Sequence, residues 1–485
     1  MSKAFCLLTS VIVIVIALLT TVQQAFHLSR RGVHFPPTEN KVQVDSPTTR
    51  VSSIHSPFLA CPSSVCQNRE IPITVSSHRC TGESIVTRSC VFNNLVYDVD
   101  LGVFIYLEDV GAPKRVVYLK DGLPQADFHE RKPLEGSSKN CKAGFVFISP
   151  LLSSYAHTRS NMICIDNRNY SDINQQTTVD VLQTSVLFHQ IADGRHWGHM
   201  LIDNLMALFL LFVNLSERLE GSNVILTNFC EQKHECFAQN MYKDALGMST
   251  SSWEARKRIW QSEGLKHIRF RRLLVGGSGY ANSQSMHRCK YPGRGKTFMP
   301  KYEWMGWPVG KGFYWYKFRE LIFRNNGVDP SSRPAHHQIL LVDKRKGSGR
   351  AILNIDQVYN QLTKTFPDIN VVLVDPSTIT LKEQLLLFSN TTVCISPRGG
   401  ISFSSLFQAR GTYSIIMQAT IGWKSLTQEV ATLWSFISHV RVLEYGIYDA
   451  DDYMLSTPKI QEVIIKPDRL AALIRQAVYE MSMPA

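Results

Sequence analysis

Residues 338–418 switch between strand-like and helix-like patterns four times, and few architectures accommodate that rhythm. Residues 338–343 (Gln-Ile-Leu-Leu-Val-Asp) form a run of buried-strand character, and the basic loop Lys344-Arg-Lys-Gly-Ser-Gly-Arg350 follows. Asn354 opens a helix with Gln357 as its reciprocal capping partner, and Val358, Leu362 and Phe366 make the apolar stripe. Residues 370–375 are a second strand, after which Thr380 and Glu383 cap a helix running through Leu385 and Phe388. A third strand, 392–396, runs into Pro397-Arg398-Gly399-Gly400 and a short helix over 401–408; residues 413–417 are the fourth strand. This alternation predicts a doubly wound α/β domain with a parallel sheet. In such sheets ligands sit where strands end and helices begin.

The 485-residue chain is long enough for two or three domains, and its formal charge of +12 favours acidic partners such as a nucleotide or an anionic glycan. No RNP-like or zinc-finger motif accompanies the charge, so nucleic acid is not an expected partner. Residues 5–22 are 18 consecutive uncharged residues, enough to span a bilayer. Gln23 stands where a signal-peptidase site wants a small residue two before Ala25, which favours an uncleaved anchor over a cleaved signal. Ten of eleven cysteines follow the span, an even number, with Cys61/Cys66 and Cys80/Cys90 clustered early. Acceptor sequons occur at Asn169, Asn214 and Asn390. Together these predict a single-pass type II protein of the Golgi or endoplasmic reticulum membrane, its body lumenal and disulfide-bonded.

The expected organisation is a tail and transmembrane signal anchor at 1–26 and a Ser/Thr/Pro-rich stem at 27–60. An acceptor-side domain at 61–335, an α/β domain at 336–465 and a C-terminal helix at 466–485 complete it. The helix beginning near Trp197 is apolar nearly all round, so it should be buried, yet it carries His199 and Asp203 four residues apart. A buried carboxylate must be paired or face a cleft. One reading is a His–Asp pair fit for general-base work near neutral pH; the other is a packed pair that fixes the core. His189, His196 and His199 lack acidic or cysteine companions at a zinc spacing, so no metal is expected. The loop from Lys344 to Arg350 and the segment Arg398-Gly399-Gly400 both suit a diphosphate, through guanidinium forks and glycine amides. Neither matches a dinucleotide fingerprint or a Walker loop.

Three blocks resemble glycosyltransferase family 61. His199-Met-Leu-Ile-Asp203-Asn204-Leu205 is similar to the family's His-x-x-x-Asp helix, and Arg345 through Arg350-Ala-Ile-Leu-Asn354 to its Arg-x-Ile-x-Asn loop. Ser396-Pro-Arg-Gly-Gly400, with Leu406-Phe407 and Gly411-Thr412, aligns with its His-Gly-Ala block, but Arg398 stands where the family has histidine. The resemblance implies a GT-B-like fold, two Rossmann-like domains facing a cleft, and inverting transfer of a sugar, GlcNAc or xylose, from a UDP-sugar to a glycan or glycoprotein. It implies no required cofactor. It assigns Asp203 or His199 as base, Lys344, Arg345, Arg350, Arg398, Gly399 and Gly400 to the diphosphate, and Asn354 to hold the loop. Because arginine does not titrate, a weak or inactive glycan-binding relative stands as the alternative.

Overall fold

The computed structural model describes residues 75–81, 89–108, 144–147, 162–169, 171, 173, 177–190, 197–227, 237–276, 312–344, 351–417, 437–446, 453–457 and 460–482. The segments expected to be the anchor (5–22) and the stem (27–60) lie outside the described residues. Among the described residues no helix is long and apolar enough to cross a membrane.

The first sheet is built from β1 (Ser77–Thr81), β2 (Ser89–Asp98), β3 (Val103–Glu108), β4 (Gly144–Phe147) and β5 (Met162–Asn169). To these it adds β6 (Thr178–Val181), β7 (Ser185–Phe188), β8 (Asn223–Leu226), β9 (Ser249–Ser252) and β10 (His267–Gly276). Its spine is the antiparallel pair β2–β10, in register from His267↔Asp98 to Gly276↔Ser89. On one side of it, β10, β7, β8 and β9 run parallel; on the other, β3 and β2 are antiparallel. The sheet is therefore mixed, where the sequence led us to expect a second Rossmann-like layer. The β2 strand escaped the sequence reading because its centre, Asn93-Asn94, breaks the apolar run. Cys80 and Cys90 face each other across β1 and β2 and are disulfide-bonded.

Between β7 and β8 runs helix α1, three consecutive segments: Trp197–His199, a π-helical Met200–Met206 and Ala207–Leu215. π turns are rare and recur at functional sites. Ser216, at φ 55°, stops the helix, and its N–H returns to Phe212 and Val213 carbonyls. Arg79 donates to the Leu215 carbonyl, and Arg79 and Arg272 both pair with Glu217, so the end of α1 is tied to β1 and β10. Helices α2 (Phe237–Leu246) and α3 (Trp253–Ser262) follow, and α4 (Gly312–Asn325) leads to the second sheet.

That sheet contains β11 (Gln338–Val342), β12 (Asn370–Val374), β13 (Val393–Pro397), β14 (Tyr413–Met417) and β15 (Arg441–Tyr445), all parallel, ordered β12-β11-β13-β14-β15. Its crossovers include α5 (Ile355–Thr365), α6 (Leu381–Ser389) and a 3-10 helix, Gly400–Phe407. The four strands expected from the sequence are present, and β15 is a fifth. Thr380 and Glu383 form the expected capping box. Asn354 is the N-cap of α5; its side chain makes no bond to the helix's backbone N–H groups, but its Nδ2 donates to Gln357 Oε1 at 3.3 Å, the expected partner, as well as to the backbone of Ile465. A hairpin, β16 (Tyr453–Thr457) and β17 (Ile460–Val463), precedes the C-terminal helix α7 (Pro467–Ser482).

The two sheets share one core. Val186, Phe188, Val224 and Leu274 of the first sheet join Leu340, Val342, Cys394, Ile416 and Val442 of the second through the buried side chains of α1, α4 and the 3-10 helix. This explains why α1 is apolar nearly all round: it is walled by both sheets. The described residues around α1 form continuous packed interior.

Candidate functional site

The strand order of the second sheet reverses between β11 and β13, so their exits form its topological switch point, where ligands of open α/β sheets collect. The register Leu341↔Ile395 sets those exits side by side. The basic loop leaves β11 through half-buried Lys344, and Pro397-Arg398-Gly399-Gly400 leaves β13. The structure thus brings together the starts of the two segments that the sequence marked for phosphate. Residues Arg345 to Arg350 lie outside the described residues.

The far end of the basic loop is anchored. Leu353 N–H donates to Val463 O at 2.8 Å, and Val463 N–H to Ala351 O at 2.9 Å. Asn354 continues the pairing, its Nδ2 donating to Ile465 O at 2.7 Å and its Oδ1 accepting from Ile465 N–H at 2.9 Å. Asn354 therefore braces the loop against the C-terminal segment, while its Nδ2 also reaches Gln357 Oε1.

Gly399 holds φ 114°, ψ −163°, a conformation that side chains with a Cβ rarely adopt. Its carbonyl accepts from both the N–H and the hydroxyl of Ser402, which starts the 3-10 helix. The opening amides of a helix have no intrahelical acceptor and suit an anion. Arg398 is half-buried beside them.

The start of α1 abuts the same place. A Cβ on Gly198 would stand 2.4 Å from Gly400 Cα, and one on Gly400 would stand 2.9 Å from Gly198 N. Only paired glycines allow this approach. Trp197 Nε1–H donates to Ser404 Oγ at 2.9 Å, and the Trp197 ring leans on Phe407. His199 follows Gly198 directly, and Asp203 lies in the π-helical segment; the side chains of both are outside the described residues. A π turn closes one residue later than an α turn, so the four-residue spacing no longer has its α-helical meaning.

Sequence reasoning missed the supports of this site. Gly198 and Trp197 gave no pattern to read. Arg319, 1 % exposed, donates to the carbonyls of Pro330 and Phe407 and stacks on Phe323, fixing the far end of the 3-10 helix. His439 Nε2 lies 3.0 Å from the Leu406 carbonyl; burial, then the nearby Arg319 charge, pushes its pKa down to about 4. His189, at the exit of β7, pairs through Nδ1 with Thr227 Oγ1 at 2.8 Å, and burial lowers it to about 4 as well. Among the described residues no group of three His, Cys, Asp or Glu side chains is placed to hold a metal. The three sequon asparagines, Asn169, Asn214 and Asn390, are all exposed.

Residues 197–415 match the sequence family described as Glycosyltransferase 61, a span from the first residue of α1 into β14. No curated protein matches the chain. Among solved structures, the chain is similar to the E. coli ADP-heptose lps heptosyltransferase II at 10 % identity and a TM-score of 0.30, over 62 % of this chain and 100 % of that one.

Proposed function

We propose, from the match of residues 197–415 to the family described as Glycosyltransferase 61, that this chain is a member of that family and transfers a sugar, GlcNAc or xylose, from a UDP-sugar to a hydroxyl of a glycan or glycoprotein, with inversion. The observation that carries this reading is the backbone contact of Gly198 with Gly400. It brings the helix that bears His199 and Asp203 against the segment Arg398-Gly399-Gly400, at the exits of β11 and β13.

In this reading Asp203 or His199 takes the proton of the acceptor hydroxyl as its oxygen attacks the anomeric carbon. The bond from that carbon to the diphosphate oxygen breaks on the opposite face, and UDP leaves with the electron pair. Lys344, Arg345, Arg350, Arg398 and the amides of Gly399 and Gly400 stabilise the charge that develops there. Asn354 keeps the basic loop in reach by its bonds to Ile465. No step calls on a metal.

We read the two-sheet arrangement as GT-B-like. The apolar run at 5–22 is read as a type II anchor of the Golgi or endoplasmic reticulum membrane. The Cys80–Cys90 disulfide and the exposed sequons support a lumenal body. Incubating the full-length protein with a panel of UDP-sugars, and measuring thermal stabilisation and UDP release, tests the reading. Stabilisation by one UDP-sugar with acceptor-dependent UDP release is expected. Stabilisation without release under any acceptor would favour the inactive glycan-binding relative, to which Arg398 at the histidine position lends its weight.

A further inference from the structure

Among the described residues Arg269 and Arg319 are the buried arginines, and their charges are met in different ways. Arg269 sits against Asp180, with Nε and Nη2 both donating to that carboxylate. Arg319, on α4, is 1 % exposed, and no carboxylate among the described residues pairs with it. Glu320 beside it is turned to Lys317 and Arg324. Arg319 Nη1 donates to Pro330 O at 2.8 Å, Nη2 reaches Phe407 O at 3.5 Å, and Nε is unpaired. The guanidinium lies over the rings of Phe323 and Tyr316, 4.1 and 5.8 Å from their centroids. A buried charge without a counter-ion is costly, so this one asks for an explanation.

The explanation lies along the 3-10 helix. Phe407 is its last residue, and the carbonyl before it, Leu406 O, is 3.0 Å from His439 Nε2. The final carbonyls of a helix have no intrahelical donor and form its negative end. Arg319 therefore stands behind the negative end, while the positive end opens at Gly399-Gly400. Seven steps of about 2.0 Å set those ends roughly 14 Å apart. Between them Ser402, Ser404, Ser405, Leu406 and Phe407 are all buried. A charge acting through such an interior is screened less than one on the surface. At roughly 17 Å, with an effective dielectric of about 20 to 40, it changes an affinity about two- to fivefold per unit of ligand charge.

We propose that Arg319 is a positioning residue for the donor's diphosphate, a buried cation that acts along the 3-10 helix without touching the ligand. Its charge raises the potential at the Gly399 and Gly400 amides, and its bond to Phe407 O fixes the direction in which they point. This rests on the reading given above, of a UDP-sugar whose diphosphate lies at those amides. Burial lowers the Arg319 pKa, but a guanidinium keeps its proton. His439 is held neutral, chiefly by its own burial, and Arg410 is exposed to solvent. The buried charge at this end of the helix is that of Arg319.

Titration calorimetry on the full-length protein in detergent, with UDP, UMP and uridine, tests the role. Arg319→Gln keeps an amide donor for Phe407 O and removes the charge. It should weaken UDP by about tenfold, weaken UMP less and leave uridine unchanged. Arg319→Lys keeps the charge and loses the planar fork. It should bind UDP within about twofold of the natural protein even where its melting temperature falls, and it carries the test should Arg319→Gln not fold. A loss in Arg319→Lys as large as in Arg319→Gln, or one shared equally by uridine, would make Arg319 a structural brace and overturn the proposal. Unchanged UDP affinity in Arg319→Gln would overturn it too, with the donor reading intact. If the natural protein binds neither UDP nor UMP, the donor reading fails and this inference falls with it.

Discussion

Gly198 and Gly400 meet backbone to backbone, one at the start of α1 and the other at the start of the 3-10 helix that follows β13. The two helices follow strands of different sheets, β7 and β13, and each glycine lacks the Cβ that would force them apart. Gly198→Ala puts a methyl against main chain that has nowhere to retreat. Overpacking of this kind costs typically 1–3 kcal/mol, so the melting temperature should drop by several degrees and sugar transfer should fall with it. Ser404→Ala removes the acceptor of Trp197 Nε1–H and should cost about 1 kcal/mol. A Gly198→Ala protein with unchanged melting and transfer would show that the contact gives way freely.

Asp203→Asn keeps the size of the side chain and removes its charge. If Asp203 is the base, transfer should drop by about two to four decades while melting stays near that of the natural protein. Loss of folding with transfer per folded molecule preserved would assign Asp203 to the packing of the π-helical segment instead.

Arg398 tests the departure from the family's histidine. Arg398→Ala should weaken UDP by about one to two decades and uridine far less, since a charge-assisted bond to the diphosphate is lost. Arg398→His should keep most of the UDP affinity. Equal affinity for UDP in Arg398→Ala would leave the Lys344–Arg350 loop as the phosphate clamp.

The cysteines give a chemical prediction. Cys80 and Cys90 are bonded, while Cys394 is buried and reduced, its thiol pushed up to about 12 by burial. An even count of ten therefore does not pair completely within one chain. In the unreduced protein Cys394 should resist alkylation until denaturant is added, then react; rapid labelling at neutral pH would contradict its place in the core. Replacing Cys80 and Cys90 by serine should cost about 2–4 kcal/mol.

His189 and His439 predict an acid limit. Both are held at about 4, below the usual 6.5, so the folded state excludes protons that the unfolded chain binds. Their contribution is complete above pH 6.5 and is lost as pH falls toward 4, to the extent of about 3 kcal/mol each. Urea melts at pH 7 and pH 5 should show the loss, and His439→Gln should flatten the slope by roughly half.

The sequence alone determined the second sheet closely, because its information is local. Strands at 338–343, 370–375, 392–396 and 413–417 carry short runs rich in β-branched and apolar residues, and Thr380 and Glu383 cap their own helix. It also showed that α1 must be buried, since no face of it is polar. What only tertiary structure decided is everything that depends on a partner distant in the chain. The mixed first sheet follows from β2 pairing with β10, and the π turn around Asp203 has no periodic signature. Asn354 reads as a cap but answers to Ile465. The site itself follows from packing: α1 is walled by both sheets, so two glycines that carry no side-chain signal become the point where the proposed base and the proposed phosphate site meet. Propensity and spacing fix short-range geometry, whereas which surfaces meet is set by burying them against each other.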